Sequence, residues 1–188
     1  LFLFYSCHLG PGDHVVTFSP GWQQSWDVPL HLGAAVTRLP LAPEADYAID
    51  WDRVEAVVRD DTRLLILCYP NNPLGVALGD EDWRQLGKLQ DATGIGILID
   101  EEYLTDYRGS VFCRRPKSCA VSSLSKIYGF PGLRLGWLVG DAETVERMVN
   151  FKRYTTVCNS SVCEYLALQV LRDRGRYVER YERLRGEG

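Results

Sequence analysis

At 188 residues, with 46% apolar and 24% charged side chains, the chain has the size and composition of a globular domain with a buried core, which excludes a disordered polypeptide. Its 21 basic residues against 25 acidic ones leave a formal charge of -4, so no positive field exists to hold a polyanion, and nucleic acid is not expected as a partner. No apolar run approaches the roughly 20 residues that cross a bilayer, so no membrane segment is expected either.

The opening stretch LFLFYSCHL lacks the basic leader and small-residue cleavage site of a signal peptide and reads as a helix entered midway. With Met occurring once and not at the start, the chain is expected to begin inside an element of a longer protein. Strands are predicted at HVVTF (14–18), AVTRL (35–39), RLLILC (63–68), GILID (96–100), CAVSS (119–123) and LGWLVG (135–140). Several of these runs have no polar alternation, as strands covered on both faces do.

Between the strands, WDRVEAVV around Trp51 and DEDWRQLGKLQDA from Asp80 space apolar residues three or four apart, as amphipathic helices do. Trp83, Leu86 and Leu89 fall on one side of the second. A helix after Asp141 is expected to bury Val145, Met148 and Val149, and a longer one to begin at Ser161, with SVCE a capping box closed by Glu164. From Arg172 to Arg185, six arginines interleave with Asp173, Glu179 and Glu182, the pattern of a solvated helix face laced with ion pairs. Strands alternating with helices predict an α/β protein with a mostly parallel sheet.

Six cysteines, Cys7, Cys68, Cys113, Cys119, Cys158 and Cys163, include no CxxC pair and no Cys/His ligand spacing, so no metal site is expected. A domain with this apolar content needs no covalent staples, and the thiols read as free in a reducing cytoplasm, the expected location.

In an open α/β sheet, ligands bind at the carboxyl ends of the strands. Four such places carry chemistry: SPGWQQSW, YPNNPLG, DEEY and SSLSKIYGFPGLRLGW. In the last, Lys126 stands among Ser123, Ser125, Gly129, Gly132 and Arg134, a nucleophilic amine beside a phosphate-binding set; a solvated loop lysine is the plain alternative. Asp100 follows four apolar residues, where an unpaired charge is costly and a cationic partner is expected; the alternative is a helix N-cap or a strand-end turn. Tyr103 reaches the same space, Asn72 is a ligand or a turn former, and Trp22 a stacking or core aromatic. An amine for an imine, a carboxylate for a protonated ring nitrogen, a phenol and an amide for a ring hydroxyl, an indole for stacking and Ser/Arg for a phosphate together describe pyridoxal phosphate.

The succession PGDHVVTFSPGW, YPNNPLG, DEEY, SLSKIYGFPGLRLGW resembles the class I/II aminotransferases of the fold-type I pyridoxal-phosphate family. The resemblance implies a three-layer α/β/α large domain, truncated at both ends: residues 1–145 as its cofactor-binding part and 146–188 as helices leading toward a C-terminal small domain. It implies Lys126 as the amine bound to the cofactor, Asp100 on the pyridine nitrogen, and Tyr103 and Asn72 on the ring hydroxyl. Trp22 is then the stacking aromatic, and Ser123 with Arg134 the phosphate anchor. Leu74 replaces the hydroxyl residue usual in the NP-T/S-G turn, a minor packing change. The upstream half of the phosphate cup and the carboxylate-binding arginine of the small domain are expected outside these residues, and the chain alone is expected to be weak or inactive.

The implied function is transfer of an amino group between an amino acid and a 2-oxo acid by a homodimer. FKRYTTVCNSSVCEYLA also resembles cyclising synthases of the capreomycidine type, so a lyase or cyclase acting on an amino acid stays open. So does a cofactor-binding sensor domain fused to a transcriptional regulator.

Overall fold

The structure, a computed structural model, describes residues 1–115 and 117–187. Its framework is a six-stranded sheet in the order β2-β1-β3-β4-β5-β6. The strands are β1 (His14–Ser19), β2 (Ala35–Pro40), β3 (Thr62–Cys68), β4 (Gly96–Asp100), β5 (Cys119–Ser123) and β6 (Gly136–Val139). The first five are parallel and β6 runs antiparallel to β5, so the predicted strands all form and the sheet is mostly parallel.

Helices α1 (Phe2–His8), α2 (Gln24–His31), α3 (Trp51–Val57), α4 (Asp80–Thr93), α5 (Val111–Arg114), α6 (Ala142–Lys152), α7 (Ser161–Arg172) and α8 (Arg174–Gly186) complete the chain. On one face of the sheet, Trp51 and Val54 of α3 and Leu86 and Leu89 of α4 pack on Val16, Leu65, Leu67, Ile97 and Ile99. On the other, Phe4 and Tyr5 of α1 cover Val15, Leu64, Ile66 and Leu98. This is why the central strands read as unbroken apolar runs: both of their faces are covered. A third cluster joins Leu124, Ile127 and Tyr128, after β5, to Ala167 and Val170 of α7, with Tyr177, Val178 and Tyr181 of α8 against it.

Two expectations are corrected. Val145 and Val149 of α6 are 37% and 45% exposed, and only Met148 packs inward. The helix leans on α1, where Arg147 Nη1 donates to the Cys7 carbonyl at 3.4 Å, and nothing described covers the rest of its apolar side. The cap of α7 lies one residue early: Ser160 Oγ accepts the Cys163 N–H, and Glu164 takes its hydrogen bond from Asn159 Nδ2 at 2.9 Å. SSVCE offers two serines, and the interaction with Asn159 selects the frame. Helix α2, with Pro29 inside it, was not anticipated from periodicity. The arginine-rich tail is the solvated helix expected, with Arg176 paired to Asp173 and Arg185 to Glu182.

Candidate functional site

The order of strands reverses beside β1: the chain moves outward to β2 and then crosses to β3. The carboxyl ends of β1, β3, β4 and β5 therefore open on the switch point where open α/β sheets bind ligands. After β1, Gly21 allows a tight passage, because a Cβ there would sit 2.7 Å from the Phe18 carbonyl oxygen. Trp22 follows and is 39% exposed, which removes the core-aromatic alternative. After β3, Asn71 builds the turn: its Oδ1 accepts the Leu74 N–H at 3.1 Å, and its carbonyl accepts the N–H of Gly75, whose φ is 73°. Asn72 is thereby released from that task and is half-buried, and Leu74 packs against the core.

At the end of β4 the side chains of DEEY alternate. Glu101 turns to the α4 side, where its Oε1 accepts the Val111 N–H at 2.7 Å and caps α5. Asp100 and Glu102 turn the other way. Asp100 is 6% exposed and forms no ion pair among the described residues; its Oδ1 accepts only the Glu102 N–H, at 3.2 Å. Burial, and then the Glu102 charge, push its carboxyl up to about 7, against a smaller opposing pull from that N–H. The expected cationic side-chain partner is absent among the described residues. Tyr103 is half-buried beside this group, and burial, then the nearby Cys68, Glu102 and Asp100, raise its phenol above the ordinary value.

After β5, Ser123 Oγ donates to Glu102 Oε2 at 2.8 Å and accepts the Ser125 N–H at 2.9 Å. Lys126 is exposed at the turn, which Gly129 closes with a φ of 79° and an N–H bonded to the Lys126 carbonyl. Arg134 is also exposed, with Nη1 donating to the Pro131 carbonyl at 2.7 Å. Asp100, Tyr103 and Ser123 are thus gathered around Glu102, while Trp22 follows β1, Asn72 follows β3, and Lys126 and Arg134 share the β5–β6 connection.

Three participants were not read from the sequence. They are Glu102 within DEEY, Cys68 at the end of β3 and Tyr5 in α1. The Tyr5 hydroxyl is buried without a hydrogen bond, near Ser25 and Asp100. A buried carboxylate without a side-chain cation, an orphaned phenol beside it and an open indole face are what a protonated aromatic nitrogen heterocycle would complete. Among the described residues no cluster of three metal-ligating side chains occurs.

A family model described as aminotransferase class I and II matches residues 1–187. Capreomycidine synthase of Streptomyces vinaceus is 30% identical over 172 residues, 89% of this chain and 44% of that protein. An aromatic amino acid aminotransferase of Nocardia farcinica is 33% identical over 160 residues, 79% of this chain and 43% of that protein. The solved structure of a PLP-dependent aminotransferase from Streptococcus suis superposes with a TM-score of 0.89 at 28% identity, covering 95% of this chain and 49% of its own. The chain spans less than half the length of these relatives.

Proposed function

The chain belongs to the aminotransferase class I and II family, and on that premise we propose that it is the cofactor-binding part of an enzyme moving an amino group between an amino acid and a 2-oxo acid. The observation that carries this reading is Asp100, a buried carboxylate with no side-chain cation among the described residues, at the carboxyl end of β4, the same edge of the sheet from which the turns bearing Trp22, Asn72 and Lys126 leave. Pyridoxal phosphate, when bound, supplies an aldehyde that condenses with amines and a protonated ring that accepts the electron pair released at the substrate α-carbon.

The residues then divide the work. Asp100 accepts the ring N–H and keeps that nitrogen protonated, exchanging an unpaired buried charge for an ion pair. Lys126 Nζ would hold the cofactor, and as a free amine it would carry a proton from and to the substrate α-carbon. Tyr103 and Asn72 would hold the ring hydroxyl, Trp22 would stack on the ring and Ser123 with Arg134 would anchor the phosphate, which would keep the proton transfer in a fixed geometry.

Residues 1–145 form the cofactor-binding part in this reading, and 146–188 lead toward a further domain. Exposed apolar residues on α7, Val162, Tyr165, Leu166 and Leu168, support a homodimer in the whole protein, and the six free cysteines support a reducing cytoplasm. A second reading keeps the cofactor and changes the bond broken: likeness to capreomycidine synthase, at 30% identity, favours a cyclisation or elimination on an amino acid. Incubation with pyridoxal phosphate, borohydride reduction and peptide mapping tests the cofactor site. A pyridoxyl group on Lys126 that Lys126→Ala abolishes supports it, and no label on Lys126 of the whole protein overturns it. With the whole protein, a stoichiometric pyridoxamine form after mixing with donor amino acids separates transamination from the second reading.

A further inference from the structure

We propose that Glu102 occupies the phosphate seat of this site, and that its carboxylate sets the affinity for the cofactor by holding the proton of Ser123. The proposal rests on the reading above, in which Ser123 anchors the phosphate. A serine hydroxyl has one proton to give. Here Ser123 Oγ gives it to Glu102 Oε2 at 2.8 Å while accepting the Ser125 N–H at 2.9 Å, so both of its roles are taken. The backbone of Glu102 is fixed at the same time, because its N–H is bound to Asp100 Oδ1 at 3.2 Å.

A phosphate oxygen can receive the Ser123 hydrogen bond only by displacing Glu102 from it. Two anions sharing one donor repel each other in a half-buried place, so the displacement is costly even before the bond is remade. The half-buried Glu102 can swing toward solvent, which makes the exchange a competition and not a block. The carboxylate also faces Asp100 and Tyr103, both of which feel its charge, so it lies between the ring end and the phosphate end of the site.

The test is titration of the purified chain with pyridoxal phosphate and with pyridoxal, which lacks the phosphate, in wild type, Glu102→Gln and Glu102→Ala. Circular dichroism checks that the variants keep the fold. Both variants should bind pyridoxal phosphate about tenfold more tightly than wild type, the size of one charge-assisted hydrogen bond, and pyridoxal no more tightly. In a Ser123→Ala background the gain should vanish. Unchanged or weaker binding of pyridoxal phosphate by both variants overturns the proposal, as does an equal gain for pyridoxal. Reduction with borohydride distinguishes this failure from failure of the parent reading: a label on Lys126 with unaltered affinity overturns only the role of Glu102, and no label in any variant overturns both.

Discussion

Cys68 and Asp100 are register partners on the adjacent parallel strands β3 and β4, which seats a thiol beside a carboxylate under the strand ends. Burial, and then the Asp100 charge, push the thiol up to about 12, so it is neutral and unreactive in the physiological range. The strained partner of the two is the carboxylate.

Asp100 therefore makes folding pH-dependent in a direction opposite to that of a salt-bridged acid. Its folded pKa of about 7 stands above the unfolded value, so the folded chain holds the proton more tightly. That contribution is complete below pH ~4 and is lost as pH rises through about 7, at a cost of as much as about 4 kcal/mol. In urea unfolding, wild type should weaken from pH 5 to 8 relative to Asp100→Asn. A relative gain of wild type over that interval would falsify the assignment.

Trp22 should matter to the ligand and not to the fold. Being 39% exposed, it can be changed to Ala with a stability effect of about 0.5 kcal/mol or less. Loss of ring stacking should weaken pyridoxal phosphate binding by roughly two- to tenfold, with Trp22→Phe retaining most of it. Chemical denaturation and ligand titration of both variants separate the outcomes; large destabilisation by Trp22→Ala contradicts the exposed placement.

Gly136 is the register partner of Ser123 across the antiparallel pair β5–β6. A Cβ there would lie 2.8 Å from the Ser122 carbonyl oxygen and 3.1 Å from Ser123 Cβ, so Gly136→Ala should cost about 1 to 3 kcal/mol by overpacking. It should also displace the Ser123 hydroxyl. Urea unfolding reads the first effect, and affinity for pyridoxal phosphate the second; a silent substitution means that the strands part without penalty.

Leu86 and Val145 look alike in the sequence as inward residues of amphipathic helices, yet Leu86 is fully buried and Val145 is 37% exposed. Leu86→Ala should cost roughly 2 to 5 kcal/mol and Val145→Ala under about 1. Equal losses in thermal or urea unfolding would mean that α6 is covered as deeply as α4.

The class of fold was legible from the order of apolar runs and helical segments, and so were the strand ends after which Trp22, Asn72, Asp100 and Lys126 fall. Runs such as RLLILC and GILID read as strands because a strand covered on both faces needs no polar alternation, and the residues just after them sit at the carboxyl ends of a sheet by construction. Free cysteines and the ion-paired arginine tail were legible for the same reason: they depend on local spacing and composition. Burial of Val145 and Val149 was not, because periodicity tells which residues share a helix face and not whether another element comes to cover it. The one-residue shift of the α7 cap turned on Asn159, a partner outside the motif. Only the tertiary structure decided that Asp100 and Glu102 share a face with Ser123, 21 residues beyond Glu102 on another strand. Which side chains meet across strands is set by register and by the twist of strand ends into turns, and a single sequence carries neither explicitly.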